Sequence, residues 1–162
     1  MELRTLLIAN KEGIRARTRT LYPKIPADKM GWAPEAKALT LGQILRHLAQ
    51  SEAGMLDVVR ADKWWYLDER VGPPLTSYVG AAADKDAEIQ RLEDAHAATI
   101  AFLRDAPEDV LEREHRYERL GRVLKGWQVI LGLAEHEAHH RGQIATYLRL
   151  LGDPAPSPYG TY

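Results

Sequence analysis

Residues 123–152 read VLKGWQVILGLAEHEAHHRGQIATYLRLLG. Leu133, His136, His140, Ile144, Tyr147 and Leu151 recur at intervals of three or four residues, so they fall on one side of an α-helix. Gly152, with Pro154 behind it, marks the end of that helix. The spacing predicts a helix from about Val123 to Leu151 whose core-facing stripe carries two imidazoles.

Working outward, three more helical stretches appear. Leu3, Leu6, Leu7, Ile14 and Leu21 predict a first helix from Leu3 to Leu21, stopped by Pro23 and Pro26. Thr40 and Gln43 form a capping box at the start of a second, with Leu39 and Ile44 placed to staple its entry. Its apolar face runs through Ile44, Leu48, Met55 and Val58, and His47 lies on the same side. A third helix, from Val79 to Leu103, carries Ile89, Leu92, His96, Ile100 and Leu103. Residues 105–121 mix charges without clear periodicity and predict an irregular or short helical connection. No period-2 run stands out. The expectation is an all-α four-helix bundle over residues 1–152 followed by a Pro-rich tail, 153–162. Its three connections, roughly 15 to 19 residues each, are long enough to permit crossovers and to cover a functional site. Trp32, Trp64 and Trp65 lie in them and could wall a pocket or anchor loops.

Composition narrows the function classes. The chain has 162 residues, 45% of them hydrophobic, and 22 Lys+Arg against 23 Asp+Glu, a net charge of -1. That balance argues against broad electrostatic binding to nucleic acid or lipid. The run Arg15, Arg17, Arg19 reads as a solvated helix face. No stretch has the apolar length of a bilayer span or a signal segment, so a soluble, cytoplasmic chain is expected. With no Cys, any metal must be held by His, Asp or Glu.

The six His residues are 47, 96, 115, 136, 139 and 140. His136 and His140 project about 40° apart on successive turns, a spacing at which two imidazoles can share one cation. His139 is turned about 60° from His136 and points off the stripe. His47, inward-looking on another helix, is the best third ligand. Gln143 continues the stripe and could bond a ligand ring, and Glu52 is a candidate carboxylate near the rim. His96 reads as a hydrogen-bonded core residue and His115 as solvated. HEAHH also satisfies H-E-x-x-H, but no downstream His or Glu supplies a zincin's third ligand. Glu93-x-x-His96 and Glu137-x-x-His140 fit the di-iron pattern locally, yet Glu93 is off its apolar line and the first helix offers only Glu2 and Glu12.

HEAHHRGQI (136–144), the following LRLLG, LGQILRHLAQSE (41–52) and IPADKMGWAP with its Trp32 together resemble the DinB/YfiT-like family of metal-dependent enzymes. The resemblance implies an up-down-down-up four-helix bundle with one divalent metal ion, zinc or nickel first and manganese or iron next. The ligands carried over would be His47, His136 and His140. It further implies a homodimer and a small-molecule substrate such as a low-molecular-weight thiol, with hydrolase or thiol S-transferase activity and no nucleic-acid or membrane partner. The alternative is a non-catalytic metal-binding stress protein or helical interaction module.

Overall fold

The computed structural model describes residues 2–157; residues 158–162 of the expected tail lie outside that range. In chain order the elements are α1 (Leu3–Arg19), α2 (Leu41–Ala61), α3 (Trp65–Arg70), α4 (Leu75–Val79), α5 (Lys85–Asp105), α6 (Glu108–Glu112), β1 (Glu114–Tyr117), β2 (Arg122–Lys125) and α7 (Gly126–Leu150). The four long helices, α1, α2, α5 and α7, form the expected bundle. Arg4 at the start of α1 donates to the carbonyl of Ala106 just past α5, and Arg19 reaches Glu93, so α1 and α5 are antiparallel. His47 meets His140 while Val59 clusters with Val129, so α2 and α7 are antiparallel. Arg46 pairs with Glu88 and Val59 clusters with Leu103, so α2 and α5 are parallel. Leu7 clusters with Ile130 while Arg141 reaches the Ile14 carbonyl, making α1 and α7 parallel. The topology is therefore up-down-down-up, and the chain must travel back along the bundle between α2 and α5. The segment carrying α3 and α4 makes that return.

The capping box forms as read: Gln43 N–H donates to Thr40 Oγ1 at 3.2 Å and Thr40 N–H to Gln43 Oε1 at 3.1 Å. Two boundaries differ from expectation. The third long helix starts at Lys85, capped by Asp84, because Gly80 closes α4 and separates Val79 from it. Where an irregular connection and the first residues of the last helix were expected, β1 and β2 pair antiparallel, Glu114 with Lys125 and Tyr117 with Arg122. His115 and Tyr117 alternate inward on β1. His115 is accordingly buried rather than solvated, with Nδ1 3.0 Å from Asp62, the left-handed residue that closes α2.

The first helix is rotated from its predicted phase. Leu6 is 45% exposed, while Leu7, Lys11, Arg15 and Thr18 face inward, with Lys11 at 1% and Arg15 at 0%. Arg15 is therefore no solvated face. Lys11 Nζ lies 2.9 Å from Glu52 and 3.5 Å from Glu137. Arg15 donates to Glu137 at 2.8 and 3.0 Å, to Glu52 at 2.9 Å and to the Leu92 carbonyl at 2.7 Å. This charge layer divides the core. Leu7, Val59, Leu103, Val129, Ile130 and Leu133 pack on one side of it. Leu21, Ile25, Ile44, Leu48, Leu92 and Ile144 belong to the cluster on the other. Within this layer two buried carboxylates face two buried cations, the condition under which charges persist in a protein interior.

Candidate metal centre

On α2 and α7, neighbouring residues diverge by about 100°. Glu52 and Glu137 turn into the charge layer, while Ser51 and His136, one residue earlier, turn to the other side. There His47, His136 and His140 converge, with their potential ligand atoms all within 4.8 Å of one another. The Nε2 of His136 lies 3.0 Å from that of His47 and 3.0 Å from that of His140. Every Nδ1 has an oxygen partner. His140 Nδ1 is 2.6 Å from Gln143 Oε1, and His47 Nδ1 is 3.1 Å from the Tyr66 hydroxyl. His136 Nδ1 is 3.3 Å from Ser51 Oγ, whose own proton goes to the Leu48 carbonyl.

Ser51 Oγ and Gln143 Oε1 can accept the Nδ1 protons of His136 and His140, and with the Tyr66 oxygen accepting from His47 in the same way, three Nε2 lone pairs face one another. Burial, reinforced by the neighbouring imidazoles, lowers His47 to about 3 and His136 to about 4. Burial also lowers His140 to about 4, against the opposing bond to Gln143. The rings are thus neutral at pH 7, and neutral lone pairs at 3.0 Å repel unless a cation stands between them. Three nitrogens at about 2.0–2.1 Å from one zinc-sized ion would lie about 3.3 Å apart, close to the two 3.0 Å spacings that His136 makes. The donor set fits a first-row divalent ion, and its imidazole nitrogens do not by themselves select which.

Comparisons with known proteins bear on the same arrangement. The profile of the DinB superfamily matches residues 12–144, which include all three imidazoles and the charge layer except Lys11. The chain belongs to the DinB superfamily. A DinB-like protein from Bacillus subtilis, YjoA, superposes with a TM-score of 0.69 at 20% identity, covering 97% of this chain and 99% of its own. YfiT, also from Bacillus subtilis, superposes with a TM-score of 0.70 at 14% identity, covering 93% of this chain and 88% of its own. That protein is described as a probable metal-dependent hydrolase with an unusual four-helix bundle topology. No curated protein matches the chain.

In this DinB chain the remaining sequence candidates take different places. Gln143 pairs with His140 through Oε1 and Nδ1. His139 is exposed and outside the converging group, with its ring 5.0 Å from that of His140. Glu52 is not at the rim. It lies in the charge layer, where burial alone would raise its carboxyl but His96, Lys11 and Arg15 outweigh that and hold it at about 2. Glu137 is likewise tied to Arg15, so neither the zincin nor the di-iron role is open to it. Glu93 binds Arg19 and the Tyr22 hydroxyl. His96 is buried, as read, with Nε2 3.4 Å from Glu12.

Two cavities flank the imidazoles and share His136 and Arg70. The larger, about 420 Å³, is polar and includes Lys37, His139, Gln143 and Tyr147 in its lining. The three Trp residues line neither cavity. Trp32 packs edge-on against Tyr147, Trp64 stacks on Tyr117, and Trp65 donates to Asp57. They anchor loops. The walls come instead from residues the sequence did not single out, notably Tyr66 and Arg70 of α3. A six-residue helix has too little periodicity to announce them. No helix among the described residues is long and apolar enough to cross a membrane.

Proposed function

We propose that this chain is a metal-dependent enzyme acting on a small molecule, with one divalent ion, zinc or nickel first and manganese or iron next, held by His47, His136 and His140. The observation that carries the reading is the convergence of three Nε2 atoms whose opposite nitrogens are all engaged by oxygen. A divalent ion bound there supplies Lewis acidity, which brings the pKa of a coordinating water or low-molecular-weight thiol toward neutrality. The chain itself has no thiol to offer. Its own residues do the positioning. Ser51, Tyr66 and Gln143 fix the ring orientations, as partners of metal-binding imidazoles commonly do. The Tyr66 hydroxyl, raised to about 12 by burial, stays protonated throughout the neutral range. Arg70 brings positive charge to both cavities, and His139 adds an exposed imidazole to the polar one. The open cavities favour an enzyme over a closed structural site.

The test is metal analysis followed by turnover assays. Purified protein is expected to hold one divalent ion per chain. Metal-loaded protein is expected to hydrolyse activated esters or amides, or to transfer low-molecular-weight thiols to electrophiles, with both metal and turnover lost in His140→Ala. Stoichiometric metal without turnover in such screens would favour the non-catalytic metal-binding alternative. Absence of bound metal after loading would end the proposal.

A further inference from the structure

The smaller cavity, about 230 Å³, has a chemistry of its own. Met55, Leu67, Leu124, Val129 and Leu133 supply apolar wall, and no carboxylate lines it. Its two cations are Arg70 from α3 and Arg122 from β2. Arg122 and Leu124, two apart on one strand, share a face, and both line the chamber. Arg15, Arg19, Arg46 and Arg60 are all committed to carboxylates. The side chains of Arg70 and Arg122 have no hydrogen bond or ion pair among the described residues, and both residues are exposed. An apolar chamber with two uncommitted guanidinium groups suits a molecule with an apolar body and one anionic end. Guanidinium forks match a carboxylate in particular. Size limits the body: a cavity of about 150 Å³ holds a benzene molecule, so this one accommodates a ring with a short substituent.

We infer that this chamber binds an aryl or similarly compact apolar carboxylate, its anionic group held by Arg70 and Arg122 and its body lying alongside His136. The inference rests on the proposed metal centre for what becomes of such a molecule, but its binding can be tested apart from that centre.

The probes are 4-ethylbenzoate, the neutral 4-ethylbenzamide and the cationic 4-ethylbenzylamine, titrated calorimetrically into metal-stripped and metal-loaded protein. The benzoate is expected to bind roughly tenfold tighter than the amide even without metal, with the amine weakest. Arg122→Ala should remove most of that preference and leave amide affinity unchanged. Gly132 lines the chamber from α7, and a Cβ placed there meets no heavy atom within 4 Å. Gly132→Leu should therefore fill the chamber and weaken all three probes, while helical content and metal stoichiometry are retained. Equal affinities for the three probes would overturn the inference. So would benzoate binding that requires metal and ignores Arg122→Ala, because the anion would then sit on the cation. Failure of the metal-centre proposal would show separately, as absent metal with the probe pattern intact.

Discussion

Replacing Arg15 with Met removes a buried cation while keeping an unbranched side chain in its place. The quartet Lys11, Arg15, Glu52 and Glu137 is electrically balanced. Arg15→Met leaves one ammonium facing two carboxylates and takes a donor from the Leu92 carbonyl. Breaking one partner out of a buried ionic group costs about 3–5 kcal/mol. An exposed pair such as Arg60–Asp57 is worth about 0–1 kcal/mol. Domains of this size are stable by about 5–15 kcal/mol, so the variant should fold with a clearly reduced margin. Adding Glu137→Gln restores one cation to one carboxylate. The double variant should therefore be more stable than the sum of the single losses predicts, by about 1–3 kcal/mol. Urea unfolding at pH 7.5, followed by far-ultraviolet circular dichroism with the slope checked for constancy, measures both quantities. A loss below about 1 kcal/mol for Arg15→Met, or additivity within about 0.5 kcal/mol, would refute the reasoning. Either result would mean that water relieves the stranded charge.

Three further outcomes are expected. His140→Ala should abolish stoichiometric metal binding and His139→Ala should retain it, measured by elemental analysis after dialysis; equal losses would place the ion elsewhere. Gly54→Ala sets a Cβ 2.2 Å from the Tyr66 Cβ, so overpacking of about 1–3 kcal/mol should outweigh a helix gain of about 0.5–1 kcal/mol. Metal affinity should fall as well, because Tyr66 holds His47; a calorimetric Tm at or above that of the parent would contradict this. For pH, the unfolded imidazoles take up protons near 6.5, whereas the folded ones wait until about 4 or below. The unfolded state therefore binds more protons in between, and metal-free stability, full above about pH 6.5, should fall as the pH drops toward 4. A bound ion at a hundredfold excess over its Kd should add about 2.7 kcal/mol. The chelator-sensitive rise in Tm should thus be present at pH 7.5 and smaller near pH 5, and its absence at pH 7.5 in metal-loaded protein would count against the site.

The imidazole cluster was legible because His47, His136 and His140 share stripes with Leu and Ile, whose phase dictates where those stripes face. Arg15 was not legible, since a hydropathy pattern sends any Arg outward. Its partners Glu52 and Glu137 lie 37 and 122 residues away, beyond any local pattern. Glu52 was placed on the correct helix but assigned to the wrong side, because one residue's offset decides between the imidazoles and the charge layer. The hairpin escaped notice because EHRY and RVLK are four residues each, and only EHRY alternates exposed and buried positions. Arg70 sits in a helix of six residues and acquires meaning only once α3 folds back over α2.

The charge layer has a further consequence for how α2 and α7 are aligned. Glu137 follows His136 and Glu52 follows Ser51, so the turns that aim the site are the turns that seat the ions. Sliding α7 by one turn, about 5.4 Å, would carry Glu137 away from Arg15 and strand charge in the interior. A purely apolar layer would resist such a slip far less. The layer thus keys the axial register of the two helices independently of the imidazoles, the use of buried charge with the best physical support. The cavity walls at Arg70, Arg122 and Leu124 belong to connecting segments outside that key. Those walls can change without resetting the distance between His47 and His140.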